Sequence, residues 1–399
     1  MIRAELRGNN LGLVRQRNLS IVLTRVHELE GVSRAQLTKD TGLNRSTIAD
    51  LTAELVQLGL VLETEPDPTN LVGRPSPVLV PSDQVVALTV HPELDAVTIA
   101  AVALGGRVLR RRVTPTTSIP TVDDVVAIAS AEIAATTADL GADYRVAGVG
   151  IAIPGLVRAS DGIVTLAPHL DWHYESIGDR LTAATGYPVV AGNDASLGAL
   201  AEHTRGAGRG VRDLVYINGG ASGIGGGIIS GGTLLGGLSG YAGELGHTMV
   251  RSGGVACHCG STGCFETEVT RAALLDVLGL ATHDATKLDE TLEARLDEPA
   301  VAALVDSQLS YLARAIANTV NVFNPQLIVL GGFLGSLYTI AGHDLLERVR
   351  SLALEGPRDE VQLIAATLGT DDVAVGAAEV AFGELLKDPA GTASFGTES

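Results

Sequence analysis

Lysine is almost missing from this 399-residue chain. Lys39, Lys287 and Lys387 are the only three, so arginine supplies the rest of the 28 basic side chains. None of the three sits in a glycine-rich loop and no Gly-x-x-x-x-Gly-Lys-Ser/Thr occurs, which excludes a Walker-type phosphate loop. Aromatic residues are also few, at 3%, so the cores must be built mainly from aliphatic side chains. Apolar residues reach 46%, well outside the disordered range. No run of 18 or more apolar residues exists, so no membrane span is expected. The opening Met1-Ile2-Arg3-Ala4-Glu5-Leu6-Arg7 lacks the apolar core and small-residue cleavage site of a signal peptide, so a cytoplasmic protein is expected. Three cysteines cannot build a disulfide framework, and all three fall within eight residues, which favours metal over disulfide.

What the chain does have is glycine, 48 residues of it, and acid, with a net charge of −18. Glycine with alanine and valine suits an α/β protein with many tight turns, and the length suggests two or three domains. The charge is unevenly placed. Residues 1–80 hold nine basic and nine acidic groups, so residues 81–399 carry the full −18. An acidic body repels nucleic acid. Any DNA contact therefore belongs to the N-terminal segment, doubled by dimerisation.

That segment reads as a winged helix-turn-helix. Leu19, Val22, Leu23, Val26 and Leu29 follow helical spacing over about 18–30. Gly31 ends that helix, and Ser33 caps a short second one, Arg34–Thr41. Gly42-Leu43-Asn44 makes the turn, and Asn44 caps a third helix whose apolar face is Ile48, Leu51, Leu55 and Leu58. Its other face begins Arg45-Ser46-Thr47, residues suited to phosphates and base edges at a recognition-helix N-terminus; Arg34 opens the second helix beside it. Strand-like residues 59–63 and 78–80 flank a Pro/Gly-rich loop, a β-wing whose tip Gly73-Arg74-Pro75 can reach a minor groove. Pro66, Pro68, Pro75 and Pro77 make the connection stiff. A bland alternative is a small helical domain for protein contacts.

Beyond Gln84 the pattern changes. Three strand-like runs (85–90, 97–102, 107–113), a helix (122–138) and an apolar strand (146–153) are followed by a second set. That set comprises runs at 214–217, 223–229 and 233–235, a long helix at 300–322 and a strand at 327–330. Two meanders, each followed by helices and further strands, suggest an actin/hexokinase-like (ribonuclease H-like) duplication. The expected divisions are residues 1–63 for the DNA-binding domain, 64–83 for wing and linker, 84–387 for the two-lobed domain and 388–399 for a flexible tail.

The most specific signal is a Cys₃His cluster. Gly243-Glu244-Leu245-Gly246-His247 is followed, nine residues on, by Cys257-His258-Cys259-Gly260-Ser261-Thr262-Gly263-Cys264-Phe265-Glu266. His247, Cys257, Cys259 and Cys264 are a full tetrahedral set for one structural Zn²⁺ per chain, with no open position for hydrolysis. His258 is the alternative imidazole, disfavoured by its place between two ligands.

These residues carry a resemblance. Gly-Glu-x-Gly-His before Cys-x-Cys-Gly-x-x-Gly-Cys-x-Glu resembles the signature of the ROK family of repressors and sugar kinases. So do the twelve glycines of residues 219–243, Pro154-Gly155, Gly192-Asn193-Asp194-Ala195 and Asn324-Pro325 leading into Leu330-Gly331-Gly332. The N-terminal winged segment resembles the regulator branch, which includes repressors of xylose, glucose and N-acetylglucosamine genes. A sugar needs several acceptors and amides converging on vicinal hydroxyls, and Asn193, Asp194, Glu244, His247 and Glu266 supply that set. In the family these positions contact sugar hydroxyls, with the histidine also ligating zinc. His169 departs from the asparagine common there.

The resemblance thus implies a sugar-responsive transcriptional regulator of carbohydrate genes, in all expectation a repressor. Its partners would be operator double-stranded DNA, a monosaccharide or sugar-phosphate effector and itself as a homodimer or tetramer, and it would be nucleoid-associated. The alternative is an ATP-dependent sugar kinase with an appended DNA-binding domain. Against it, the family's Asp-x-Gly-Gly-Thr phosphate loop is replaced here by His91-Pro92-Glu93-Leu94-Asp95. The proline removes an amide donor and the two carboxylates repel phosphate. No enzyme is expected, and Asp194 is a vestige of the kinase base position.

Overall fold

The structure, a computed structural model, describes residues 11–64, 77–281 and 287–392. The N-terminal head begins with α1 (Leu11–Leu29). It starts seven residues earlier than its apolar spacing suggests, because Leu13 and Val14 in its first turns face outward and add nothing to the core-facing stripe. Leu19, Val22, Leu23 and Val26 are buried. The helices α2 (Arg34–Thr41) and α3 (Arg45–Gln57) begin as their caps dictate. Ser33 accepts the Gln36 amide at 3.1 Å and Asn44 accepts the Thr47 amide at 2.9 Å. Gly42, at φ 71°, ends α2. Strands β1 (Val32–Ser33), β2 (Val61–Thr64) and β3 (Val78–Pro81) form an antiparallel sheet in the order β1-β3-β2. Gly73, Arg74 and Pro75, with Pro66 and Pro68, lie outside the described residues.

The first lobe is a five-stranded sheet. Its strands β4 (Val85–Pro92), β5 (Ala96–Ala103) and β6 (Val108–Pro115) make an antiparallel meander. After α4 (Val122–Leu140), β7 (Arg145–Ile153) returns parallel to β4. A small sheet of β8 (Leu156–Val157), β9 (Val164–Ala167) and β10 (Trp172–Glu175) interrupts the chain. Next come α5 (Ile177–Thr185) and β11 (Val189–Asn193), which pairs parallel to β7.

The second lobe follows α6 (Asp194–Thr204) and repeats the topology. Here β12 (Leu214–Gly219), β13 (Ile224–Ser230) and β14 (Thr233–Leu234) form the meander. Short helices α7 (Phe265–Glu268), α8 (Arg271–Val277) and α9 (Leu288–Arg295) precede the long α10 (Pro299–Phe323). Then β15 (Leu327–Gly332) lies parallel to β12, and after α11 (Phe333–Leu352) and α12 (Pro357–Glu360), β16 (Gln362–Ala365) lies parallel to β15. The strand orders β11-β7-β4-β5-β6 and β14-β13-β12-β15-β16 are one connectivity used twice.

The last helices close the molecule: α13 (Asp372–Ala381), α14 (Gly383–Lys387) and α15 (Pro389–Thr392). α13 packs on β4 and β7 of the first lobe, whereas α6 packs on β12 and β13 of the second. The two helices press together between the lobes at Gly376, where a Cβ would stand 1.9 Å from the Leu197 carbonyl oxygen. The head is likewise built in rather than tethered. Its buried Leu19, Val26 and Leu51 share one apolar cluster with Val85, Leu104, Ala378, Phe382 and Leu385 of the body. No described helix is long and apolar enough to cross a membrane.

Replacing Gly376 with valine is expected to cost about 1–3 kcal/mol through overpacking of α13 on α6. Calorimetry should show a lowered thermal midpoint, and an unchanged midpoint would mean that the two helices part easily.

Candidate functional site

β11 and α6 meet at Asn193-Asp194. Asn193 caps α6: its Oδ1 accepts the Ser196 amide at 2.9 Å, while its Nδ2 donates to the Gly155 carbonyl at 3.0 Å. Asp194 occupies the first turn, with Oδ1 accepting the Ala195 amide at 2.8 Å and Oδ2 4.0 Å from His91 Nε2. Burial raises the Asp194 carboxyl to about 7; the Ala195 amide opposes this and Glu244 adds to it. Burial also lowers His91, keeping that imidazole neutral.

Across from α6 lies the cysteine loop. A 3-10 turn at Leu245–His247 presents His247. Isolated bridges between Met249 and Cys264 and between Ala256 and Thr262 fold the chain back on itself. Cys264 then caps α7, whose Phe265 is fully buried and anchors the loop. Glu268 braces the loop by accepting the Val255 amide at 2.7 Å while paired with Arg251 at 3.1 Å.

The ligand atoms of His247, Cys257, Cys259 and Cys264 all lie within 4.8 Å of one another. The Cys259 and Cys264 sulfurs are 3.6 Å apart, as are Cys257 Sγ and His247 Nδ1. Thiolates around a tetrahedral zinc, at a bond length of about 2.3 Å, are separated by roughly 3.8 Å, whereas a disulfide needs about 2.05 Å. The cluster therefore has the dimensions of a metal centre. His247, Cys257, His258 and Glu266 form an overlapping group, but it offers one sulfur instead of three. His247 turns Nδ1 toward the thiols and leaves Nε2 facing Glu244, 3.8 Å away. Burial pushes the Cys257 and Cys264 thiols up, so a metal must displace protons to bind them.

All five residues expected at a sugar site, Asn193, Asp194, Glu244, His247 and Glu266, line one cavity of about 490 Å³. His169, His173 and His258 share its wall; the His169 and His258 rings meet edge to face at 5.0 Å. Burial pushes Glu244 up, with His247 pulling it back. A larger cleft of about 830 Å³ between the two five-stranded sheets adjoins it and also reaches Asp194. Its wall includes Arg111, Arg271 and Asp372, none of which carries a recognisable motif in sequence. Tyr216 hydroxyl donates to the Asp372 carboxylate at its floor. The β4–β5 turn borders this cleft; Pro92 has no N–H, and the Glu93 N–H donates to the Ala96 carbonyl at 2.8 Å.

The candidate DNA residues sit apart on the head. Arg45 and Ser46 are exposed at the start of α3, Thr47 is half-buried, and Arg34 is paired with Glu63 of β2. Arg74 lies outside the described residues.

The family profile described as ROK family matches residues 95–384. A glucokinase of Halalkalibacterium halodurans is 34% identical over 249 residues, covering 57% of this chain and 74% of its own. A putative xylose repressor of a Caldicellulosiruptor species is 28% identical over 353 residues, covering 82% of this chain and 87% of its own. Among solved structures, a ROK family transcriptional regulator, homologue of the Escherichia coli MLC protein, superposes with a TM-score of 0.76. It is 29% identical and covers 94% of this chain and 97% of its own. The regulator structure covers nearly the whole chain, head included, whereas the Halalkalibacterium glucokinase covers 57% of it and one of Streptomyces coelicolor 74%.

Elemental analysis of the purified protein is expected to give about one zinc per chain, lost in Cys264→Ser, with affinity rising with pH as the thiols deprotonate. A folded, metal-free protein with three freely reactive thiols would remove the centre.

The raised Asp194 carboxyl has its own signature. Because its folded value lies above the unfolded one, its charge destabilises the native state progressively as pH rises from about 4 to about 7, and fully above that. Asp194→Asn is therefore expected to melt higher than wild type at pH about 8, with the difference shrinking by pH about 5.

Proposed function

The chain belongs to the ROK family, and on that premise we propose that it is a sugar-responsive DNA-binding transcriptional repressor of carbohydrate genes. The observation that carries this reading is the convergence of Asn193, Asp194, Glu244, His247 and Glu266 on one cavity, in a chain whose regulator relatives also match its head. The head is the winged helix-turn-helix. Arg45, Ser46 and Thr47 meet the major groove, Arg74 serves the wing, and Arg34 adds a phosphate contact when released from Glu63. The net-neutral head attracts phosphate weakly, so two copies in a homodimer bind a pseudo-palindromic operator in the cytoplasm, at the nucleoid.

His247, Cys257, Cys259 and Cys264 hold a structural zinc, which stiffens the loop that presents Glu244 and Glu266 to a monosaccharide or sugar phosphate. The chain does not transfer phosphate. The β4–β5 turn at the larger cleft has Pro92, which has no N–H, and a Glu93 amide already bonded to Ala96 in place of a glycine-rich phosphate loop, so Asp194 serves as a hydroxyl acceptor.

Gel shifts on a duplex selected by the wild-type protein test the reading. Adding the effector sugar should change DNA affinity. Glu244→Ala should abolish that response while leaving unliganded DNA binding intact, and Arg45→Ala should weaken DNA binding and flatten its salt dependence by about one unit of log–log slope. Incubation with ATP and the sugar should yield no sugar phosphate; turnover would restore the kinase.

A further inference from the structure

The head meets the body at a buried polar knot that the sugar and DNA chemistry leaves unused. His27, in the last turn of α1, is 1% exposed. Its Nδ1 accepts the amide of Gly105, in the turn between β5 and β6, at 3.1 Å. That leaves the ring hydrogen on Nε2, which lies 2.8 Å from Glu379 Oε2 and 2.6 Å from Arg205 Nη2; of these two only the carboxylate can accept it. The other Glu379 oxygen accepts from Arg205 Nε at 2.9 Å. Arg205 Nη1 in turn donates to the His27 carbonyl at 2.5 Å, and Arg209 Nη2 to the Glu28 carbonyl at 3.2 Å. Two arginines thus occupy the C-terminal end of α1, where carbonyls lack helical donors and the helix dipole is negative. Burial alone would raise Glu379, but His27 and Arg205 overcome it and hold the carboxyl at about 2.

The members of this knot come from three bodies. His27 belongs to the head. Glu379 sits on α13 and Gly105 on the β5–β6 turn, both parts of the first lobe. Arg205 directly follows α6, which packs on the second lobe. The first residue of α6 is Asp194, in the candidate sugar cavity, and its eleven residues span roughly 16 Å. One straight helix therefore has a sugar-site residue at one end and the head's anchor at the other.

Closure of two lobes on a ligand moves packed helices past one another. Across this interface such a motion would be a shear of α6 against α13, and it would move Arg205 relative to Glu379 and His27. We propose that the Arg205–Glu379–His27 knot is the switch through which the cavity sets the head's position: one lobe arrangement holds α1 to both lobes, the other frees it from Arg205. This rests on the functional reading above. A buried Glu379 stripped of its arginine is costly, so partial separation is disfavoured and the knot resists intermediate positions.

The test uses the full chain with Arg205→Lys, which keeps a positive charge but cannot bond His27 and Glu379 together, and with Glu379→Gln as the second variant. D-xylose, D-glucose and N-acetyl-D-glucosamine are titrated calorimetrically, and DNA affinity is measured with and without each sugar on a duplex selected by the wild type. Both variants should bind sugar within about twofold of wild type. Their ratio of DNA affinities without and with sugar should fall from a wild-type value in the usual range of about 5–150-fold to near one. Amide exchange in the last turns of α1 should respond to sugar in the wild type and not in Arg205→Lys. A sugar-binding variant that keeps the wild-type ratio overturns the switch and leaves the repressor reading standing. A wild type that binds no duplex, or whose DNA affinity ignores all three sugars, overturns the repressor reading and the switch with it.

Discussion

The close approach of α6 and α13 is the constraint on which the rest of the structure hangs. Each helix belongs to a different lobe, and at Gly376 nothing larger than hydrogen fits between α13 and the Leu197 carbonyl. Contact at that range leaves the helices only two options, to stay in register or to slide as rigid bodies, because packed interiors deform poorly. The consequences run both ways along the pair. At one end Asn193, Asp194 and Asp372 face the two cavities; at the other, Arg205 and Glu379 meet the head.

The cysteine loop plays the complementary part on the far wall. Leu245, Val250 and Phe265 anchor its two ends in the second lobe's core, but residues 251–263 between them bury no large apolar side chain, so a cross-link there would fix the loop's shape. Three thiols and an imidazole at coordination distances supply one, and Glu268 ties the same loop to its own backbone. A metal held there would fix Glu244 and Glu266 on the cavity wall, and preorganised acceptors lower the entropic cost of binding a polyhydroxylated ligand.

Much of this was legible in the sequence, for reasons that can be named. The helix caps Ser33 and Asn44, the two meanders and the Cys₃His cluster all act over short stretches, where local chemistry decides the outcome. The five candidate sugar residues were legible because glycine-rich and cysteine motifs carry them. What escaped was non-local. Nothing in the residues around His27 announces that it is buried against Glu379, 352 positions away, and Asp372 and Arg111 reach the larger cleft only through the sheet topology. The proline-rich segment 63–77 drew attention as the connection between head and body, but the head's apolar side chains join the body's core directly. Shared cores between distant segments leave no periodicity to read.

The contrast between the two ends of Asp194's surroundings explains how a kinase-like body can be put to regulatory use. A general base works when its carboxyl is poised near neutrality and a phosphoryl group is held in line, and Asp194 at about 7 meets the first condition. The second condition needs backbone amides aimed outward, and in the β4–β5 turn Pro92 has no N–H and the Glu93 amide is bonded to Ala96. Glu93 adds a carboxylate on the same wall. A buried acceptor such as Asp194 can make differential contact with a ligand hydroxyl, and only differential contact can shift an equilibrium between open and closed lobes. The strain of holding an incompletely solvated carboxyl in the empty cavity is relieved when a hydroxyl donates to it. α6 begins at Asp194 and ends beside Arg205, so a contact made at the buried carboxyl and the head's anchor share one helix.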